Sequence, residues 1–203
     1  MRFLENLEQH VLCSPPGCGV GQAPTSVQGF LIFPPPVLQA NLSQRQAVVV
    51  ADSRVVVYDS VATTQSIWIK GKNFSIQNLT LEPELSKVWS DGAVASFRLS
   101  PQDYHRYHSP VEGTLVWWKH ISGEYYNVDA IALRFHDHFR KEGSYIKKGE
   151  EVGMFEFGGS SIIVAFEKGR ILFDEDLISV SKRAITVNVE VGMRLGKALT
   201  PNV

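Results

Sequence analysis

Short runs of β-branched and aromatic residues fill the chain from residue 44 onward, and they are the feature that most constrains its fold. Examples are AVVV, RVVVY, GAVASFRLS and SIIVAF, and turn-forming Gly, Asp, Asn or Ser stands between most of them. Runs of this length favour strands, because β-branched side chains pack well on a pleated sheet. The sequence therefore predicts a mainly β (α+β) fold, in which antiparallel sheets form a sandwich or open barrel with few short helices.

Individual elements can be placed along this part of the chain. The stretch AVVVADSRVVVYDSV predicts two strands joined by a turn at Asp52 and Ser53. Further strands are predicted at EVGMFEF, SSIIVAFE, RILF and AITVNVEV. The segment LEPELSKVWSDG, residues 81–92, is the best candidate for a short helix, because Pro83 suits a first helical turn.

The first 42 residues have a different character. They open with the helix-like piece MRFLENLEQHVL and continue as a Pro-, Gly- and Ser-rich stretch without periodicity. This composition predicts a divergent, poorly ordered leader or linker, followed by one folded domain over residues 43–203. Cys13 and Cys18 lie in the leader, and structural zinc sites normally recruit four ligands, so we predict no metal site.

Charge and hydropathy bound the possible partners. The net charge is −1 and no cluster of Lys and Arg stands out, so we expect no nucleic-acid partner. No apolar run approaches the ~20 residues that cross a bilayer. Glu5 and Glu8 interrupt the N-terminal segment, which argues against a secretory signal. We expect an intracellular protein, and peripheral contact with a membrane stays open.

Two histidines stand out in RLSPQDYHRYHSPVEG, residues 98–113. His105 and His108 are three residues apart, close to Asp103 and Arg106, and prolines flank the group. Histidines beside a carboxylate can share acid–base work near neutral pH. A solvated connection between two strands explains the same residues without any chemistry, and this alternative is open.

Asp52 is a lone carboxylate between runs of β-branched residues. An unpaired buried charge would be costly there. The alternative is an exposed hairpin tip, with Arg54 as the partner of the carboxylate.

Turn-forming residues interrupt an apolar run in FEFGGSSIIVAFEKG. A tight hairpin is one interpretation, since glycine and serine suit turns. Self-cleavage between Gly159 and Ser160 is the other. In that reaction the serine hydroxyl attacks the Gly159 carbonyl, and elimination followed by hydrolysis leaves a pyruvoyl group. A base and oxyanion donors are required, and Asp52 and His108 are the candidates.

These stretches together resemble one family. LSPQDYHRYHSPVEG is similar to the phosphatidylserine decarboxylase signature L-x-P-x-D-Y-H-R-x-H-x-P-x-x-G. FGGSSIIVAFEKGRILFDEDL resembles that family's self-cleavage segment, in which the motif is usually L-G-S-T or G-G-S-T and stands here as GGSS. VVVADSRVVVYDSV resembles the stretch that carries the family's aspartate. The likeness covers most of residues 44–203.

The resemblance implies a pyruvoyl-dependent proenzyme. Gly159 would end the β chain, and Ser160 would become the pyruvoyl cofactor at the start of the α chain. Asp52, His108 and Ser160 would form the triad for self-cleavage, and His105 would act in decarboxylation. The implied substrate is phosphatidylserine at a membrane surface, and the products are phosphatidylethanolamine and CO2. The two processed chains would be partners of each other.

The sequence also departs from the family. Relatives carry several dozen more residues after the position of Arg134, and their N-terminal helical region has no counterpart here. An inactive, truncated family member is therefore one alternative, and a pyruvoyl-dependent decarboxylase of a soluble amino acid is another. EGSYIKKGEEVGMFE also resembles half of a lipoyl-type carrier domain, but no D-K-A or M-K-M tripeptide supports that interpretation.

Overall fold

A computed structural model gives the structure of the protein and describes residues 2–5, 25–32, 45–61, 76, 87–100, 102–124, 136–137, 142–154 and 161–199. The N-terminal strands are β1 (Arg2–Glu5), β2 (Thr25–Ile32), β3 (Gln46–Val48), β4 (Ser53–Tyr58) and β5 (Ala93–Arg98). The middle strands are β6 (Arg106–His108), β7 (Gly113–Thr114), β8 (Trp117–Glu124), β9 (His136–Asp137), β10 (Tyr145–Ile146) and β11 (Glu151–Met154). The last elements are β12 (Ser161–Phe166), β13 (Ile171–Phe173), helix α1 (Glu175–Ser181), β14 (Val187–Val189) and β15 (Arg194–Ala198).

The largest sheet has the strand order β14-β4-β5-β12-β1-β2-β8. Three smaller sheets have the orders β13-β15-β3, β6-β11-β9 and β10-β7. The pairings within these sheets are antiparallel. The prediction of a mainly β fold built from antiparallel sheets with few helices is confirmed.

The centre of the large sheet forms much of the core. Side chains alternate between the two faces of a strand, so one face of β4, β5 and β12 points inward. The inward side chains are almost completely buried: Val55, Val57, Ala95, Phe97, Ile162 and Val164. At one end of the same strands, the opposite face carries Arg54, Arg98 and Ser161, which are paired in register.

Helix α1 packs against β4 and completes its hydrogen bonding. Strand β14 reaches only as far as Val55, and the next outward N–H of β4, that of Val57, donates instead to the buried Ser181 hydroxyl at 2.9 Å. Glu175 and Asp176 lie in the first turn of α1, where acidic groups suit the helix dipole. That acidic turn is the sequence signal for a helix that we did not predict. No helix among the described residues has the length and apolar character required to span a bilayer.

The two predicted helices, at the N-terminus and at residues 81–92, differ in how they compare with the structure. The helix-like interpretation of the N-terminus is wrong over Arg2–Glu5, which forms β1 and pairs with β12 and β2. Sheet pairing overrides local helix propensity there. In the candidate helix at 81–92, Lys87 is helical and residues 88–91 form a turn, whereas residues 81–86 lie outside the described residues. The boundary between a leader and a folded domain at residue 42 stays a prediction.

Candidate active site

The register of the large sheet places residues that neighbour Ser160 and Asp52 in the sequence at one end of its strands. β12 begins at Ser161, opposite Arg98, which is the last residue of β5. Arg98 in turn lies opposite Arg54, at the beginning of β4. Neighbouring strands lie about 4.8 Å apart, so these three backbones occupy a short row. Asp52 directly precedes β4. Residues 158–160, which carry the predicted cleavage bond, lie outside the described residues, and Ser161 follows them.

A closed turn leads from this end of β5 into the histidine segment. The side chain of Asp103 accepts a hydrogen bond from the Ser100 N–H at 2.6 Å, and the Asp103 N–H donates to the Ser100 carbonyl at 2.9 Å. Asp103 therefore shapes the connection that presents His105 and His108. It makes no hydrogen bond or ion pair with either ring.

Backbone hydrogen bonds hold the end of β6 against the segment that leads to Asp52. The His108 N–H donates to the Val50 carbonyl at 2.8 Å, and the Val48 N–H donates to the Pro110 carbonyl at 2.9 Å. Asp52 follows Val50 by two residues. The fold thus brings Asp52 and His108 into one neighbourhood, although these two side chains form no hydrogen bond or ion pair with each other.

The Asp52 carboxylate has a backbone partner. Its Oδ1 accepts the Val191 N–H at 2.7 Å, from the loop that joins β14 to β15. The same loop pairs with Val49 through the Met193 carbonyl at 2.7 Å and the Gly192 N–H at 3.0 Å. Asp52 is partly buried and Arg54 does not pair with it. The alternative of an exposed hairpin tip with an Asp52–Arg54 pair is wrong.

The ring of His108 is fixed in one tautomer. Its Nδ1 lies 2.9 Å from the Gly149 carbonyl oxygen, and a carbonyl can only accept a hydrogen bond. Nδ1 therefore carries the proton, and in the neutral ring Nε2 keeps a lone pair. Nε2 is buried and has no hydrogen-bond partner among the described residues. The ring of Tyr104 stacks on the imidazole with centroids 6.0 Å apart. In this tautomer the neutral ring presents a buried lone pair at Nε2.

His105 offers a second nitrogen of the same kind. Its Nε2 is buried and has no hydrogen-bond partner in the part of the chain that the structure describes. Buried polar atoms are nearly always paired in folded proteins, so two unpaired ring nitrogens three residues apart need an explanation. A site that exchanges a proton with a reacting group would account for both nitrogens.

The turn between β10 and β11 supplies the partner of His108, a contact for which no direct signal is present in the sequence. The Glu150 N–H donates to the Lys147 carbonyl at 3.1 Å, and Gly149 has φ +74°. Two further bonds dock this turn on the histidine segment: Gly149 N–H to the Ser109 carbonyl at 2.7 Å, and Ser109 N–H to the Glu150 carbonyl at 2.9 Å. The letters KKGE predict a turn but not what it touches.

Strand β11 supports the histidine segment from its other side. Arg106 forms an ion pair with Glu151 across the two strands. Tyr107 is buried and lies against Gly153, where any Cβ would overlap its phenol group. Arg106 and Tyr107 therefore hold the backbone between the two histidines in place.

Comparison with known proteins identifies the family. The sequence model of the family described as phosphatidylserine decarboxylase matches residues 35–142 and 135–197. The chain belongs to the phosphatidylserine decarboxylase family. No solved structure matches it.

One curated relative is phosphatidylserine decarboxylase proenzyme 2 of Oryza sativa subsp. japonica, to which the chain is 37% identical over 186 residues. This alignment covers 74% of the chain and 30% of the relative. The chain is 34% identical over 184 residues to proenzyme 2 of Komagataella phaffii, with 72% and 18% covered. It is 30% identical over 181 residues to the proenzyme of Fusobacterium nucleatum, with 72% and 60% covered. The chain thus spans less than two thirds of the length of each of these relatives.

The structure describes some of the predicted site residues and not others. The bond from the His108 N–H to the Val50 carbonyl links the histidine segment to the residues just before Asp52. Gly159 and Ser160 lie outside the described residues, as do Cys13 and Cys18. The described residues contain no cluster of three or more side chains able to hold a metal ion. The roles of the predicted site residues stay predictions.

Proposed function

We propose that the chain is a phosphatidylserine decarboxylase proenzyme that cleaves itself between Gly159 and Ser160 and converts phosphatidylserine to phosphatidylethanolamine and CO2. The observation that carries the proposal is the His108 ring, whose Nε2 lone pair is buried, unpaired and fixed by the Gly149 carbonyl. Membership of the family supports both steps. The phospholipid substrate would bring the protein to a membrane surface as a peripheral enzyme.

Self-cleavage requires a base near Ser160. His108 Nε2 would take the hydroxyl proton while the oxygen attacks the Gly159 carbonyl carbon, and the amide nitrogen leaves with a proton. Removal of the α-proton of residue 160 then expels Gly159 as a free carboxylate. Water replaces nitrogen at the α-carbon of residue 160, ammonia departs, and a pyruvoyl group remains. Asp52 would contribute by holding the loop at Val191 beside this site.

Decarboxylation would use the second histidine. The pyruvoyl group supplies an electron sink for the carbon that loses CO2. His105 would deliver a proton to that carbon from Nε2, which has no competing partner. Burial of both ring nitrogens keeps bulk water from competing for the proton.

A second candidate is an inactive, truncated family member, and the alignments favour it in one respect. The alignment with the rice relative is 186 positions long but includes only 74% of this 203-residue chain. At several dozen of its positions, therefore, the relative has a residue and this chain has a gap. The two matches to the family's sequence model overlap at residues 135–142, and this overlap supports the proposal of a gap after Arg134.

Intact mass spectrometry of the purified protein decides between these two candidates. A self-processing chain gives two fragments, one that ends at Gly159 and one that begins with a pyruvoyl-blocked residue 160. Ser160→Ala should leave the uncleaved 22.6 kDa chain. A wild-type protein that also remains a single uncleaved chain would refute the proposal. Release of CO2 from phosphatidylserine vesicles, compared with free serine, would then test the substrate.

A further inference from the structure

Two arginines face each other at the end of the large sheet where Ser161 begins β12. Arg54 and Arg98 are direct cross-strand partners in the antiparallel β4–β5 pair. Both are exposed, and neither has a carboxylate partner among the described residues. Like charges directly opposite on neighbouring strands destabilise a sheet, so the arrangement costs stability unless an anion joins it.

Three other arginines of the described chain pair with carboxylates. Arg106 pairs with Glu151, Arg170 with Glu167 and Arg194 with Asp174. The pair at the sheet end therefore stands out as an uncompensated double positive charge. Its place in the register is also specific, because Arg98 lies directly opposite Ser161, the residue after the proposed pyruvoyl position.

We propose that Arg54 and Arg98 form a subsite for the phosphate diester of the substrate, an inference that rests on the function proposed above. Residues paired in register point to the same face, so Arg54, Arg98 and Ser161 share one side of the sheet. Guanidinium groups match phosphate oxygens with paired hydrogen bonds. In a phosphoserine headgroup, phosphorus is four bonds from the amine nitrogen, a reach comparable with the ~4.8 Å between adjacent strands.

The reaction itself indicates which anion of the substrate the arginines hold. The carboxylate leaves as neutral CO2 and loses its charge on the way to the transition state. A cation on that carboxylate would stabilise the ground state more than the transition state and slow the reaction. The phosphate keeps its charge throughout, so binding it costs nothing at the chemical step. The subsite thus selects serine esterified to phosphate over free serine, which disfavours the soluble amino-acid alternative.

Binding to uncleaved protein tests the subsite without any turnover. The Ser160→Ala chain is titrated with glycerophosphoserine, inorganic phosphate and free serine by calorimetry. We expect glycerophosphoserine to bind, phosphate to compete with it, and free serine to bind at least about tenfold more weakly, as the loss of a charge-assisted contact predicts. Arg98→Gln and Arg54→Gln should each weaken glycerophosphoserine about tenfold or more. Arg98→Lys should recover only part of the loss, because the ammonium lacks the planar fork.

Arg183→Gln is the matched control. Arg183 is also an exposed arginine without a carboxylate partner, and it lies on the turn after α1. This variant should bind glycerophosphoserine like the parent. Equal affinity of the parent for free serine and glycerophosphoserine, or full affinity in an Arg54→Gln/Arg98→Gln double variant with an unchanged melting temperature, would overturn the proposal.

The same variants separate this inference from the proposed function. In cleaved enzyme, Arg98→Gln should raise KM for phosphatidylserine vesicles while the extent of self-cleavage stays the same. If the wild-type chain never cleaves, the proposed function falls. The subsite would still stand if arginine-dependent binding of glycerophosphoserine persists.

Discussion

Replacement of Gly149 by alanine should slow self-cleavage without removing any side chain from the site. Gly149 has φ +74°, and nothing lies within 4 Å of a Cβ added there. The cost is therefore conformational, about 1–2 kcal/mol for an L-residue in the left-handed region. The turn can relieve this strain by rotating its peptide planes, which would break the bond from the Gly149 N–H to Ser109 and shift the carbonyl away from His108.

The expected magnitude follows from the bond that is lost. A hydrogen bond of this type contributes about 1 kcal/mol net. Without it, the imidazole can rotate or place its proton on Nε2, where no lone pair is left to act as a base. Because each 1.36 kcal/mol corresponds to a factor of ten in rate, we expect self-cleavage about five- to tenfold slower.

A second glycine with the same backbone conformation provides the control for this strain. Gly169 has φ +70° and open space around a Cβ, but its turn joins β12 to β13. Gly169→Ala should lower the melting temperature as much as Gly149→Ala and leave the cleavage rate unchanged. Gly149→Asn should recover most of the rate, since asparagine tolerates the left-handed conformation.

The assay is the time course of fragment formation by intact mass over a range of pH, with ¹⁵N spectra of the His108 ring to report the tautomer. Equal slowing in Gly149→Ala and Gly169→Ala, or normal cleavage in both, would refute the role of the carbonyl.

Three further predictions concern the scaffold. Ser181→Ala should lower the free energy of unfolding by about 1–3 kcal/mol in urea, because the Val57 N–H loses its buried acceptor; an unchanged midpoint would contradict this. Gly153→Ala should cost about 1–3 kcal/mol by overlap with Tyr107, and a melting temperature equal to the parent's would argue against that contact. Burial raises the pKa of Tyr58 from 10.0 to about 12. The Tyr58 phenol therefore ionises at lower pH in the unfolded chain than in the folded protein, so the free energy of unfolding should fall as pH rises from 10 towards 12. Tyr58→Phe should remove this contribution of Tyr58 to the loss of stability in alkaline unfolding curves.

The sequence was a good guide to local structure and a poor guide to partners. Runs of β-branched residues predicted β4, β5 and β12, because alternation and turn residues are local signals. The partners of the site residues are not local. Asp52 meets the N–H of a residue 139 positions away, and His108 meets a carbonyl 41 positions away. No spacing rule encodes such contacts, and the opposition of Arg54 and Arg98 emerges only once the strand register is known.

The place of β12 has a consequence for how a cut chain would behave. The segment after Gly159 supplies β12 beside β5, β14 beside β4 and β15 beside β3, so two of the sheets contain strands from both sides of the cleavage bond. Cleavage before β12 would cut the polypeptide into two chains, and hydrogen bonds between strands would still hold these chains together in one fold. Separation of the halves would require the sheets to come apart, and their recombination would be bimolecular. Folding of the uncleaved chain would not depend on protein concentration. After maturation, refolding would depend on the concentrations of the two separated chains.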